Sequence, residues 1–132
     1  MKKINLLCII EDDPTHLFVI KKRIERSEMV ENIIVFRNGK EAYQGLKKNY
    51  LNNQKLPEII LLDLNMPIWD GWQFLEEFTK LNFATDISIY ILTSSNDCED
   101  KKTAAKYNLK NNFLTKPINA NEIKQLLNAA TI

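Results

Sequence analysis

Glycine and proline are scarce in this chain, three and four among 132 residues, and cysteine is scarcer still, with two. So little Gly and Pro excludes a collagen-like or low-complexity chain. Cys8 lies inside an apolar run and Cys98 in a polar stretch. The two form neither a disulfide framework nor a metal-ligand cluster, and a reducing compartment fits them. An excess of one charge is also missing, because 18 Lys and Arg stand against 17 Asp and Glu. The basic residues fall in scattered pairs such as Lys2-Lys3, Lys21-Lys22 and Lys47-Lys48, and no basic stripe argues for nucleic acid. No run approaches the ~20 apolar residues of a membrane helix. Ile4 to Ile10, interrupted by Asn5, is too short for a secretory segment with its cleavage site, so a cytoplasmic protein without membrane contact is expected. What is present is 45% apolar and 27% charged residues, the balance of one ordinary globular domain spanning 1–132.

Four short runs rich in Ile, Leu and Val read as strands buried on both faces: Ile4 to Ile10, Asn32 to Phe36, Glu58 to Leu62 and Ile87 to Leu92. A weaker fifth, Asn112 to Thr115, stops at Lys116-Pro117, where proline ends the ladder. Helices fill the gaps. Asp13-Pro14 supplies a capping carboxylate and a first-turn proline for one that runs to about Glu28. Asn38 caps a second reaching about Asn49. Asp70-Gly71 opens a third with Phe74, Leu75, Phe78 and Leu81 at helical spacing. Asn96-Asp97 opens a fourth, and the fifth, from about Asn119, carries Ile123, Leu126, Leu127 and Ala130 on one stripe. Five strands alternating with five helices predict a doubly wound α/β sandwich around a parallel sheet.

In such a sheet ligands bind outside the carboxyl ends of the strands. The first strand runs into Glu11-Asp12-Asp13, the third into Asp63, the fourth into Thr93-Ser94-Ser95 and the fifth into Thr115-Lys116-Pro117. Singly these residues are unremarkable: Asp13 can cap a helix, Thr93 can be a strand residue and Lys116 a surface lysine. Their coincidence at one edge is what points to chemistry. Converging carboxylates repel one another unless a cation neutralises them. An all-oxygen set suits Mg²⁺, while zinc would need Cys or His ligands. A carboxylate beside such a metal can attack phosphorus, with Asp63 as nucleophile, Lys116 as fixed positive charge and the Thr93 hydroxyl as donor to a phosphoryl oxygen.

Taken in order, Glu11-Asp12-Asp13, Asp63-Leu64-Asn65-Met66-Pro67 with Asp70-Gly71, Thr93-Ser94 and Lys116-Pro117 make the chain resemble a bacterial response regulator receiver domain of stand-alone type. That resemblance implies a flavodoxin-like (βα)5 fold with strand order 2-1-3-4-5. It implies that Asp63 accepts a phosphoryl group from a phosphohistidine on a sensor histidine kinase or phosphotransfer protein. Mg²⁺ would be held by Asp12 or Asp13, Asp63 and the Asn65 backbone carbonyl, with Asp13 ahead of Asp12 as direct ligand. Lys116 would pair with the phosphoryl group and Thr93 close onto it. Phe113 would swing inward as a switch, where core packing is an equal reading. Asn65 and Ser95 stand where side chains tune dephosphorylation. Phe113 replaces a common tyrosine, and Trp69 replaces the usual second methionine of the acceptor loop. With no output domain expected after Pro117, output would pass to a downstream protein target, onward along a relay, or into a homodimer formed on phosphorylation.

Two rivals need naming. An aspartate-nucleophile phosphatase of the haloacid dehalogenase type would need a second Asp where Asn65 stands. A flavodoxin-like binding module would need a glycine-rich phosphate loop where Glu11-Asp12-Asp13-Pro14 stands. His16 reads as a flanking surface residue rather than a ligand, Trp72, Phe74 and Phe78 as core anchors, and Lys21-Lys22-Arg23 as a solvated helix face.

Overall fold

A computed structural model describes residues 3–66, 68–93, 98–109, 112–116 and 118–130. The elements alternate strictly: β1 (Ile4–Ile10), α1 (Pro14–Ser27), β2 (Val30–Phe36), α2 (Gly39–Leu51), β3 (Ile59–Asp63), α3 (Gly71–Phe78), β4 (Ser88–Thr93), α4 (Cys98–Ala105), β5 (Phe113–Thr115) and α5 (Ala120–Ala130). All strand pairs are parallel, and their order is β2-β1-β3-β4-β5. This is the doubly wound, flavodoxin-like sandwich that the sequence predicts.

Strand parity builds two cores. Cys8, Ile10, Ile60, Leu62, Ile89 and Ile91 face one side, where Ala42 and Leu46 of α2 and Phe74 and Phe78 of α3 cover them. Leu7, Ile9, Ile59, Leu61 and Leu92 face the other, under Ile20 and Ile24 of α1 and Ile123 and Leu127 of α5. Every residue of β3 is buried, as expected of a central strand with helices on both faces. Cys8 belongs to this interior, and burial pushes its thiol far above the usual range. Cys8 is therefore structural rather than reactive.

Two boundaries depart from the sequence reading, each for a local reason. β2 begins at Val30, paired with Ile4, because an edge strand tolerates the exposed Glu31 that breaks the apolar run. α3 ends at Phe78, so Leu81 lies outside it. The Thr79 hydroxyl donates to the Leu75 carbonyl (2.7 Å), and i→i−3 turns close the chain into a 3₁₀ turn, Asn82–Asp86, that sets Phe83 edge-on to Phe78. Arg23 is not simply solvated, since its guanidinium donates to the Ile118 carbonyl and ties α1 to the segment leading into α5. Trp72 is half-buried and stacks on Tyr107, whereas Phe74 and Phe78 are fully buried. The expected opening of α4, Asn96-Asp97, lies outside the described residues.

Close backbone contacts fix the loop after β3. The Gly71 amide donates to the Leu64 carbonyl (3.0 Å), and a Cβ at Gly71 would come within 2.8 Å of the Asp63 carbonyl oxygen. Only glycine lets α3 start this close to the end of β3. Farther along, Ile68 and Trp69 both adopt left-handed φ values of 50° and 63°, a costly conformation for non-glycine residues. The Trp69 carbonyl accepts from the Gly39 amide (3.1 Å), and its ring lies 5.3 Å from that of Tyr43. Where the common motif has methionine, this loop is anchored on α2.

Candidate functional site

The strand ends deliver four groups to one cleft. Glu11 follows β1, and its amide still donates to the Phe36 carbonyl (3.0 Å), so it is an extension of the strand rather than a loop residue. The register pairs Ile9 with Leu61, and two further residues bring Glu11 alongside Asp63, the last residue of β3. Both are buried, at 0% and 3% exposure. Lys116 enters from the end of β5, its amide bonded to the Thr93 carbonyl (2.8 Å). Its ammonium stands 2.7 Å from Glu11 Oε1 and 3.0 Å from Asp63 Oδ1. Asp12, half-buried, completes a set with Glu11 and Asp63 whose ligand atoms lie within 4.8 Å of one another.

Asp13 behaves differently from the sequence expectation. Its side chain accepts from the Thr15 amide (2.9 Å) and caps α1, with Pro14 in the first turn. Its carboxylate is outside the clustered set, which holds Asp12, the other residue the resemblance offers, with Glu11 and Asp63. One Asp13 carboxylate oxygen is thus committed to the helix cap, and the residue lines the same cleft as Asp63. Asn65 is exposed, and its amide donates to Asp63 Oδ1 at 3.4 Å. Thr93 is buried at the end of β4. Phe113 is partly buried and packs against the core under α2, α3 and α4. Ser94, Ser95 and Pro117 lie outside the described residues.

Electrostatics set the character of this cleft, an open space of about 330 Å³ lined by Glu11, Asp12, Asp13, His16, Asp63, Asn65 and Lys116. Burial pushes the Glu11 carboxyl up to about 7; the hydrogen-bonded Asp63 adds to the rise and Lys116 opposes it. Burial alone would lower the Lys116 ammonium, but its bonds to Glu11 and Asp63 outweigh that and hold it above its ordinary value. Glu11 Oε1 is fully shielded and has no well-aligned hydrogen bond, the ammonium being its ion-pair partner. Three carboxylates against one ammonium leave a formal deficit that a divalent ion would cancel, and the donor set is all oxygen. These residues fit a hard divalent cation.

A pH dependence follows in the metal-free protein. Glu11 protonates near 4.5 when unfolded and near 7 when folded. The folded state therefore binds more protons between those values, and stability falls as pH rises through that window. Glu11→Gln removes this loss. Its unfolding free energy is expected to exceed that of the wild type by about 1–3 kcal/mol at pH 8 and to match it at pH 4. Denaturant unfolding in EDTA at the two pH values measures the difference, and a gain that is equal at both would show that Glu11 is not the group responsible.

A family model for the response regulator receiver domain matches residues 7–128. The chain belongs to this family. Among curated relatives, the receiver is 28% identical over 120 residues to the probable methanogenesis regulatory protein FilR2 of Methanothrix harundinacea, covering 91% of this chain and 77% of that protein. Among solved structures, it superposes on a two-component response regulator from Cytophaga hutchinsonii with a TM-score of 0.86, at 27% identity and 98% coverage of each chain. The phosphorylated cyanobacterial phytochrome response regulator RcpA matches with a TM-score of 0.76 at 26% identity, over 96% of this chain and 90% of that one. Receiver domains act in phosphoryl-accepting signal transduction and bind Mg²⁺ or Mn²⁺ at an acidic pocket, and as a class they are not substrate-turnover enzymes. Membership in this family agrees with the receiver resemblance seen in the sequence. No helix among the described residues is long and apolar enough to cross a membrane.

Proposed function

We propose that this receiver takes a phosphoryl group onto Asp63 from a phosphohistidine of a sensor histidine kinase or phosphotransfer protein, in the cytoplasm. The observation that carries the reading is Lys116 bridging the buried carboxylates of Glu11 and Asp63. An Asp63 oxygen attacks phosphorus, the P–O bond forms, the P–N bond breaks, and its electron pair returns to the donor imidazole. Lys116, its ammonium 3.0 Å from Asp63 Oδ1, would pair with the negative charge on the phosphoryl oxygens. Asp12, Asp63 and the Asn65 carbonyl are the residues that would hold Mg²⁺, with Glu11 in the same carboxylate cluster. The ion, when bound, supplies charge neutralisation for the transferring group.

Thr93, buried at the end of β4, is the hydroxyl that would donate to a phosphoryl oxygen, and Phe113 is the aromatic that would respond as a switch. Asn65 and Ser95 are the side chains that would tune how fast water removes the group. The added charge biases the β4–β5 edge between two packings. That change reaches a downstream protein target or a second copy of the chain. Intact-mass analysis after incubation with acetyl phosphate or phosphoramidate tests the reading. The expected result is a gain of one phosphoryl group with Mg²⁺ and none in EDTA. No gain from either donor with Mg²⁺ present would overturn it.

A further inference from the structure

The chain passes from Lys116 to α5 through Pro117, which has no amide hydrogen to donate, then Ile118 and Asn119. Both ends of this connection are held by local bonds. The Lys116 amide donates to the Thr93 carbonyl (2.8 Å). Asn119 caps α5, its side chain accepting from the Glu122 amide (2.8 Å) and its carbonyl from the Ile123 amide (3.1 Å). The Ile118 carbonyl lies between these two anchors, outside both strand and helix. Its donor comes from another part of the fold, the Arg23 guanidinium on α1. The Ile118 side chain is buried with Ile20, Ile24 and Ile123. On the side nearer Lys116, packing is looser. Val19 and Ile20, one turn before Arg23, line a cavity of about 220 Å³ together with His16, Lys116 and Ile118. There the connection borders open space rather than the close-packed side chains that hold most buried segments.

Lys116 is useful only where its ammonium meets Glu11 Oε1 at 2.7 Å and Asp63 Oδ1 at 3.0 Å. Its stem is flexible, and with a cavity beside it the backbone on either side must set where that stem begins. The Thr93 carbonyl does so toward the strand, and the bonded Ile118 carbonyl does so toward the helix. We infer that Arg23 is a positioning residue for phosphotransfer: by holding the Ile118 carbonyl it fixes the connection after β5 and keeps Lys116 set over Asp63. Arg23 does not line the acidic cleft, so it acts through Lys116 alone. The inference rests on Asp63 as the phosphoryl acceptor and adds a residue to that reading.

Phosphorylation rates of the full chain with Mg²⁺, over a range of phosphoramidate concentrations, test it by comparing the wild type with Arg23→Met and Arg23→Lys. Arg23→Met keeps the stem and loses the donor. It is expected to lower the rate at saturating phosphoramidate about tenfold, while the half-saturating concentration and the Mg²⁺ affinity each stay within about twofold. Arg23→Lys keeps an N–H donor on a long stem and should return the rate to within about threefold of the wild type. Should Arg23→Met not fold, Arg23→Gln, too short to reach the carbonyl, carries the same expectation. A residue that merely stabilises the fold would lower the unfolding free energy and leave the saturating rate of the folded chain unchanged, which overturns the inference. A loss that Arg23→Lys does not restore, or one matched by an equal loss of Mg²⁺ affinity, overturns it as well. Each of these outcomes leaves Asp63 as acceptor. A wild type that takes no phosphoryl group would remove the acceptor reading and the inference with it.

Discussion

Asp63→Asn is expected to abolish phosphorylation, taking the mass gain seen with acetyl phosphate and Mg²⁺ below detection. An amide keeps the size and most of the hydrogen bonding of the carboxylate, but its oxygen lacks the electron pair density that attacks phosphorus. Loss of folding is not the expected cause. Asp63 is buried against Glu11, and removing one of two crowded negative charges relieves repulsion rather than creating it. A second readout separates the two explanations. Glu11 owes its raised value first to burial and then to Asp63, so in Asp63→Asn its midpoint should fall below about 7 while remaining above the ordinary carboxylate value. Side-chain carbonyl NMR of Glu11 follows that midpoint. A variant that still gains one phosphoryl group would place the acceptor elsewhere, and an unchanged Glu11 midpoint would mean that the two carboxylates do not interact as the distances imply.

The fold was legible because buried parallel strands announce themselves. Ile59-Ile60-Leu61-Leu62 has no polar residue to hide, and Asp13-Pro14 marks a helix start by two independent signals. That second signal also bears on the site, because the sequence reading named Asp13 as a cap and still ranked it ahead of Asp12 as direct ligand. A carboxylate followed directly by proline is a cap, and in the structure Asp13 is occupied in that way. The residue that joins Asp63 is Glu11. It could have been found by counting strand parity past the apolar run, since Ile9 opposite Leu61 places Glu11 next to Asp63. Glu11 continues the line of the strand by one backbone hydrogen bond beyond its end, the amide donating to the Phe36 carbonyl. His16 was set aside because no second His or Cys stands near it in sequence, and in the structure it lines the cleft beside Glu11 without joining the clustered carboxylates. The conformation of Trp69 had no sequence signal at all, because left-handed backbone at Ile68 and Trp69 contradicts local preference and depends on Gly39 and Tyr43 from another helix.

Lys116→Met is expected to lower the stability of the metal-free protein by about 3–5 kcal/mol at pH 8, the cost of removing one partner from a buried ion pair. The methionine fills much of the lysine volume, so the effect reads charge rather than a cavity. Glu11, fully buried, and Asp63, at 3% exposure, would then face each other with no cation between them. Three conditions should each return much of the loss. Acid does so by protonating Glu11, whose midpoint moves above about 7 once the lowering influence of Lys116 is gone. Saturating Mg²⁺ does so by binding the folded state alone. Glu11→Gln in the same chain does so by removing one of the two charges, so the double variant should be more stable than Lys116→Met by more than Glu11→Gln gains in the wild type. Denaturant unfolding of the four chains, with and without Mg²⁺, measures that coupling. If the two substitutions simply add, the 2.7 Å contact between Lys116 and Glu11 carries no net energy. The bridge would then position Lys116 for the phosphoryl group without holding the fold together.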